Sequence, residues 1–159
     1  MNSESDQKLL NASATGDFVS ARLALEAGAN PNALDEYGAS SLHLAAQGGY
    51  NEIINLLINS QANVNLLNKD GWTPLHFAAR KGLLETSFLL LKSGVNFDIA
   101  GTRYGRTALH YAAEQGHVKV VSVIIKAGAN TELKDIQENT PLMLAQAKGH
   151  LEVAALLRK

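Results

Sequence analysis

The chain has 159 residues, 46% hydrophobic and 18% charged, with 14 Lys plus Arg against 15 Asp plus Glu and a net charge of -1. That length fits one folded domain with no room for a second, and the near-neutral balance removes the bulk attraction behind non-specific nucleic-acid binding, leaving at most a local basic patch. No window approaches the roughly 18 consecutive apolar residues of a spanning helix, so no membrane association is expected, and the absence of cysteine removes disulfides and thiolate metal sites.

The opening Met1-Asn2-Ser3-Glu4-Ser5-Asp6 is polar and acidic, with neither a cationic start nor an apolar run. It reads as a disordered N-terminal tail over residues 1–5 rather than a secretory signal, which favours a cytoplasmic location. From residue 6 onward one pattern recurs, an apolar turn followed by a glycine, at Leu9 to Gly16, Leu42 to Gly49, Leu75 to Gly82, Leu109 to Gly116 and Leu142 to Gly149. Successive leucines are 33, 33, 34 and 33 residues apart. A fixed period of this size marks a stacked-repeat solenoid in which each unit covers its neighbours' apolar faces. Residues 6–159 therefore form a single repeat domain, divided at about 6–34, 35–67, 68–101, 102–134 and 135–159.

Repeat three is the clearest copy, running from Asp70-Gly71-Trp72-Thr73-Pro74-Leu75 to Lys81-Gly82. Thr73 is placed to cap a helix, Pro74 brings a fixed φ and no amide to its first position, and Gly82 supplies the left-handed residue that ends it. A second helix follows over Leu84–Lys92, carrying Phe88, Leu89, Leu90 and Leu91 and ending before Gly94. Helices of about nine residues do not persist alone, so they draw their stability from adjoining repeats.

These residues resemble the ankyrin repeat, with its D-x-x-G-x-T-P-L-H-x-A-A-x-x-G-H run and later G-A-D-V-N. The match recurs in Leu42-His43-Leu44-Ala45-Ala46, Thr107-Ala108-Leu109-His110-Tyr111-Ala112-Ala113 and Thr140-Pro141-Leu142. It returns in Gly28-Ala29-Asn30, Ala62-Asn63-Val64-Asn65 and Gly128-Ala129-Asn130. The resemblance implies an all-α solenoid of helix–turn–helix pairs with projecting β-hairpin turns and a curved groove. Departures fall at the ends: Gln7, Lys8 and Asn11 in the first copy and Arg158 in the last read as solubilising caps. Glu138 stands where Gly38, Gly71 and Gly105 stand elsewhere, so a distorted or strained last turn is expected. One extra residue between Gly94 and Gly105 lengthens the fourth hairpin at little cost in loop-closure entropy.

Catalytic signatures are lacking. The chain has no phosphate-binding G-x-x-x-x-G-K-[ST] loop, no H-E-x-x-H and no G-x-S-x-G. His43, His76 and His110 repeat with the stack, each in its own layer, so they are too far apart to share a metal, and the resemblance gives them a structural role. His117 and His150 follow helix-ending glycines and read the same way. Asn11-Ala12-Ser13 fits a glycosylation pattern but lies within a helix. No catalytic group, metal or cofactor is expected.

What varies between copies is the hairpin tips and the last turn of each first helix, and by resemblance these positions touch partners. They are Tyr37; Lys69, Asp70, Trp72, Arg80 and Lys81; Arg103, Tyr104, Arg106, Glu114 and Gln115, with Glu36, Ala39, Gln47, Ile136, Gln137, Asn139 and Lys148 beside them. The sole tryptophan, a tyrosine and three arginines fall in repeats three and four, the residue types that most often dominate interface energetics. The expected function is a non-enzymatic, monomeric protein-binding module with an acidic protein partner, inhibition of a partner enzyme being one form. The rival reading makes the chain a substrate of an asparaginyl hydroxylase, Asn32 and Asn65 matching the family's target position.

Overall fold

In the computed structural model, which describes residues 2–158, the described residues form ten α-helices in two rows. The first helices of the repeats are α1 (Glu4–Thr15), α3 (Ser41–Gly48), α5 (Pro74–Lys81), α7 (Ala108–Glu114) and α9 (Pro141–Ala147), each packed on the next. The second helices are α2 (Phe18–Glu26), α4 (Asn51–Asn59), α6 (Leu84–Lys92), α8 (Val118–Lys126) and α10 (Leu151–Leu157), also stacked in order. A single continuous core runs between the rows, made of Leu9, Leu42, Leu75 and Leu109 from the inner row and Ile53, Ile54, Leu90, Val121 and Ile124 from the outer. Each repeat has too few apolar residues for a core of its own, so the stack is the unit of stability.

The inner helices begin alike. Ser40, Thr73 and Thr107 are extended N-cap residues, and the histidine three positions later folds back onto each of them. Nδ1 of His43, His76 and His110 accepts the N–H of its own cap residue at 3.1 Å and pairs with that residue's hydroxyl at 2.8 to 2.9 Å. Nε2 of the same rings donates to the carbonyls of Trp72 (2.9 Å), Arg106 (3.1 Å) and Asn139 (3.1 Å), each the residue just before the cap of the following repeat. A carbonyl only accepts and an amide only donates, so each ring must be neutral with its proton on Nε2. Thr73 thus caps α5 as expected, but jointly with His76. The outer row is tied in the opposite direction: Nε2 of His117 donates back to the Arg80 carbonyl of the preceding repeat and that of His150 back to the Glu114 carbonyl, both at 3.0 Å. Gly82 is required twice over, with φ +73° and only 2.5 Å between the place its Cβ would take and Nδ1 of His117.

The expected tail over 1–5 is corrected by the structure. Ser3 caps α1 in a reciprocal box with Asp6: Asp6 N–H donates to the Ser3 hydroxyl at 3.0 Å and Ser3 N–H to the Asp6 carboxylate at 2.8 Å. The helix starts a turn earlier than in other repeats, because Gln7, aligned with the other cap positions, sits inside it. Met1 lies outside the described residues.

Four turns join the repeats. Asp35, Asn68 and Asp135 each close a turn by accepting two downstream amides, and their own N–H groups bond the carbonyls of Ala39, Trp72 and Asn139. Neighbouring turns are linked through Lys69 N–H to Tyr37 O, Thr102 N–H to Asp70 O and Ile136 N–H to Tyr104 O. Among the described residues strand pairing is limited to one isolated bridge between Leu34 and Ser40, so the projecting hairpins are tight turns rather than strands. Glu138 does adopt the left-handed conformation, at φ 64°, yet the turn keeps the bonds of its neighbours, so the strain is borne by one residue without distortion of the loop. Gln61, at φ 65°, stands where Gly28, Gly94 and Gly128 end the other outer helices.

The relay titrates. Burial holds the His43, His76 and His110 rings below the ordinary histidine range, His76 down to about 4. Unfolded histidines take up protons near pH 6.5 while these resist, so the unfolded state binds more protons and stability falls as pH drops from about 6.5 towards 4. Urea midpoints measured from pH 7 to pH 5 should decline, and a variant with all three changed to Gln should show a flatter profile. A second outcome concerns Ser13 and Ser87, whose hydroxyls are buried and make no hydrogen bond. Ala46, Ala79 and Ala113 occupy the Ser13 position in other copies, and Ile54 and Val121 that of Ser87. Ser13→Ala is expected to raise the unfolding free energy by about 1 kcal/mol, read from chemical denaturation.

Candidate functional site

The variable residues of repeats three and four meet around Trp72. Its indole, half-buried, lies 4.9 Å from the Phe77 ring and 4.7 Å from the Tyr111 ring by centroid, and stacks on His76 at 5.8 Å. Phe77 and Tyr111 come from the inner face of α5 and α7, two residues after Leu75 and Leu109. The indole is held from behind by Gly101, where a Cβ would stand 2.9 Å from its Cδ1 and 3.0 Å from Nε1. Gly101 takes the place that Asp35, Asn68 and Asp135 fill in the other turns, and its bond to the Arg106 carbonyl spans one residue more than theirs. The extra residue of the fourth repeat thus lies in this turn, which carries Arg103 and Tyr104 at its tip.

Two recesses result. The first, about 270 Å³, is lined by Asp70, Trp72, Phe77, Arg80, Arg103 and Tyr104. The second, about 320 Å³, is lined by Gln47, Phe77, Arg80, Lys81 and Gln115, so the two join at Phe77 and Arg80. The Arg80 guanidinium lies 5.6 Å from the Trp72 ring and that of Arg103 lies 5.1 Å from the Tyr104 ring, arrangements that hold each cation over an aromatic face. Among the described residues neither arginine enters an ion pair, nor does Lys81, whose ammonium donates to the Gln47 carbonyl at 2.8 Å. The surface therefore presents unspent positive charge on an aromatic floor.

Arg106, expected among the partner contacts, is turned inward. Its Nε donates to Asp135 at 3.0 Å and its NH1 to Glu114 at 2.9 Å, with the guanidinium lying 5.8 Å and 5.9 Å from the Tyr104 and Tyr111 rings. Only 14% of its side chain is exposed, so its charge is neutralised inside the protein. It acts as a brace between repeats four and five, and Glu114 is consumed with it. Burial raises the Asp135 carboxyl, but the Asn139 and Gln137 amides and the Arg106 guanidinium outweigh that and keep it ionised.

The remaining expected residues divide plainly. Asp70, Trp72, Arg80, Lys81, Arg103, Tyr104 and Gln115 line the joined recesses. Tyr37, 68% exposed, and Lys69, whose ammonium donates to the Glu36 carbonyl, lie outside both. Phe77, Tyr111 and Asp135 escaped the sequence reading. The signal for the first two was an aromatic ring where Leu44 and Leu144 stand in other copies. Asn32 and Asn65 belong to a ladder along the loops: their Oδ1 atoms accept the amides of Asn63 and Asn96, both at 2.7 Å, as Asp6 accepts that of Asn30 and Asp98 that of Asn130. Both asparagines are thus tied into inter-repeat register. The histidines cannot gather a metal without losing the bonds described above, and no group of three or more candidate ligands lies together among the described residues. A larger depression, about 500 Å³, lies between α1 and α2, but its lining of mostly small and polar side chains, with Lys8 and Leu23, holds no arginine and no aromatic ring.

Gly101 offers a clean test of how the floor is positioned, because its φ suits any residue. Gly101→Ala should push the indole outward at a cost of about 1 to 3 kcal/mol, shifting tryptophan emission and the near-ultraviolet circular dichroism while the far-ultraviolet spectrum stays unchanged.

No curated protein matches the chain. The family model described as ankyrin repeats (3 copies) matches residues 9–101 and 89–159, so its two placements together span nearly the whole stack of ten helices. With the helix pairs, the capped histidines and the left-handed glycines in the same register, the chain belongs to the ankyrin repeat family.

Proposed function

We propose that the chain is a non-catalytic module that grips a protein partner bearing an acidic patch, through the face of repeats two to four. Ankyrin repeats are protein–protein interaction units in general. The finer reading rests on one observation: Arg80, Arg103 and Lys81 are left without ion pairs around a floor of Trp72, Phe77 and Tyr104, whereas Arg106 is neutralised. Cations without internal partners raise association rates towards an acidic surface, and aromatic anchors slow dissociation. Occlusion of a partner enzyme's site is one outcome of such a grip. The histidines support a non-catalytic role, since both nitrogens of each inner-row ring are engaged in structure.

The test is capture of a partner by the tagged full chain, compared with the Trp72→Ala, Arg103→Ala double variant. Once a partner is in hand, Tyr104→Ala and Trp72→Ala should each weaken binding by about 2 kcal/mol, or roughly thirtyfold. Lys81→Gln should act mainly on the association rate and its salt dependence. Lys119→Gln, on the outer helix α8, should change nothing. Equal binding by all of these variants would sink the reading.

A further inference from the structure

We infer that the recess between Asp70, Trp72, Phe77, Arg80, Arg103 and Tyr104 is a socket for a single carboxylate side chain, Asp or Glu, presented by an extended segment of the partner. This rests on the binding reading above and sharpens it from an acidic surface to one residue in one place. The size of the recess and its two arginines carry it. The recess, at about 270 Å³, lies below the range of sites that enclose whole small molecules, so it suits one side chain rather than a cofactor. Arg80 and Arg103 both line it, and both are held on ring faces, so their N–H groups are presented with little rotamer freedom left to lose. A planar guanidinium offers paired donors that fit a carboxylate.

The same contacts select against other ligands. The faces of Trp72 and Tyr104 already carry the chain's own guanidinium groups, whose charge repels a second cation from the recess. Asp70 adds a negative charge to the lining, which a monoanion tolerates better than a phosphate group carrying nearly two charges. The adjoining recess supplies the primary amides of Gln47 and Gln115 and the ammonium of Lys81. These suit a polar residue next to the buried acid along an extended backbone.

The experiment pans a phage-displayed library of random peptides against the full chain and measures synthetic versions of the selected peptides by the emission of Trp72, the sole tryptophan. The selected peptides should share one Asp or Glu at a fixed position. Changing that acid to Gln or Asn should weaken binding at least tenfold, and phosphoserine in its place should bind more weakly than Glu. Arg80→Gln and Arg103→Gln should each cost about tenfold with an unchanged melting temperature, since both side chains are exposed and neither bridges repeats. Peptides that lose binding to Tyr104→Ala and Gln115→Ala, yet carry no fixed acid and ignore both arginine changes, would overturn the socket while leaving the binding face intact. Peptides indifferent to all four variants would overturn the face as well. A preference for phosphoserine over Glu, or a library that yields no binder, would overturn the carboxylate assignment.

Discussion

Everything else in this protein hangs on a neutral imidazole bonded on both sides. In each of three consecutive repeats one ring nitrogen closes the start of its own helix and the other holds the backbone just ahead of the next helix. Two jobs that other helical proteins divide between a capping side chain and a packing contact are fused in one side chain. The rings are buried, so losing either bond leaves a ring nitrogen unsatisfied where water does not reach. The result is a set of turns fixed relative to one another, and the side chains at their tips inherit that fixity. In the last repeat Met143 stands at this position and is 49% exposed, and in the first Leu10 does, so the relay spans repeats two to five and leaves the joint between repeats one and two without it.

What the sequence made readable was local. The period, the span of α5 between Pro74 and Gly82 and the span of α6 over Leu84–Lys92 follow from signals a few residues apart, and the structure reproduces them. The positive φ at Glu138 was legible because three other copies place glycine there. The start of α1 was missed because the repeat frame was begun at residue 6, which leaves the Ser3 cap of the Ser3–Asp6 box outside it. Arg106 was misplaced for a different reason: its partner Asp135 lies 29 residues away, and no local pattern announces a pair that forms only when two repeats stack. Phe77 and Tyr111 were passed over because they sit at a position that reads as core packing, and only the fold shows their rings turned towards Trp72.

The arginines show how one residue type serves two ends within a few ångströms. Arg106 is part-buried between two carboxylates and two rings, where leaving a charge unpaired would cost several kcal/mol. Arg80 and Arg103 rest on rings with their charge directed to solvent and lack such carboxylates. The brace holds the longer fourth turn in place, and that turn puts Arg103 and Tyr104 opposite Arg80 and Trp72. Gly101 belongs to the same arrangement: an Asx residue there would gain the turn bonds of its counterparts and collide with the indole.

The bonds between repeats join each layer only to the next, and this gives the molecule a mechanical character. A pull on the two ends loads every interface in series, as in a coil of equal turns, so extension proceeds by release of one layer at a time. Each released repeat of 33 residues adds roughly 110 Å of slack, because an extended chain gains about 3.4 Å per residue. Tension applied at repeats three and four divides the stack into two arms on either side of the attachment. The joint between repeats one and two, which no histidine spans, is the first to yield, and the layers around Trp72, held by histidines on both sides, are the last.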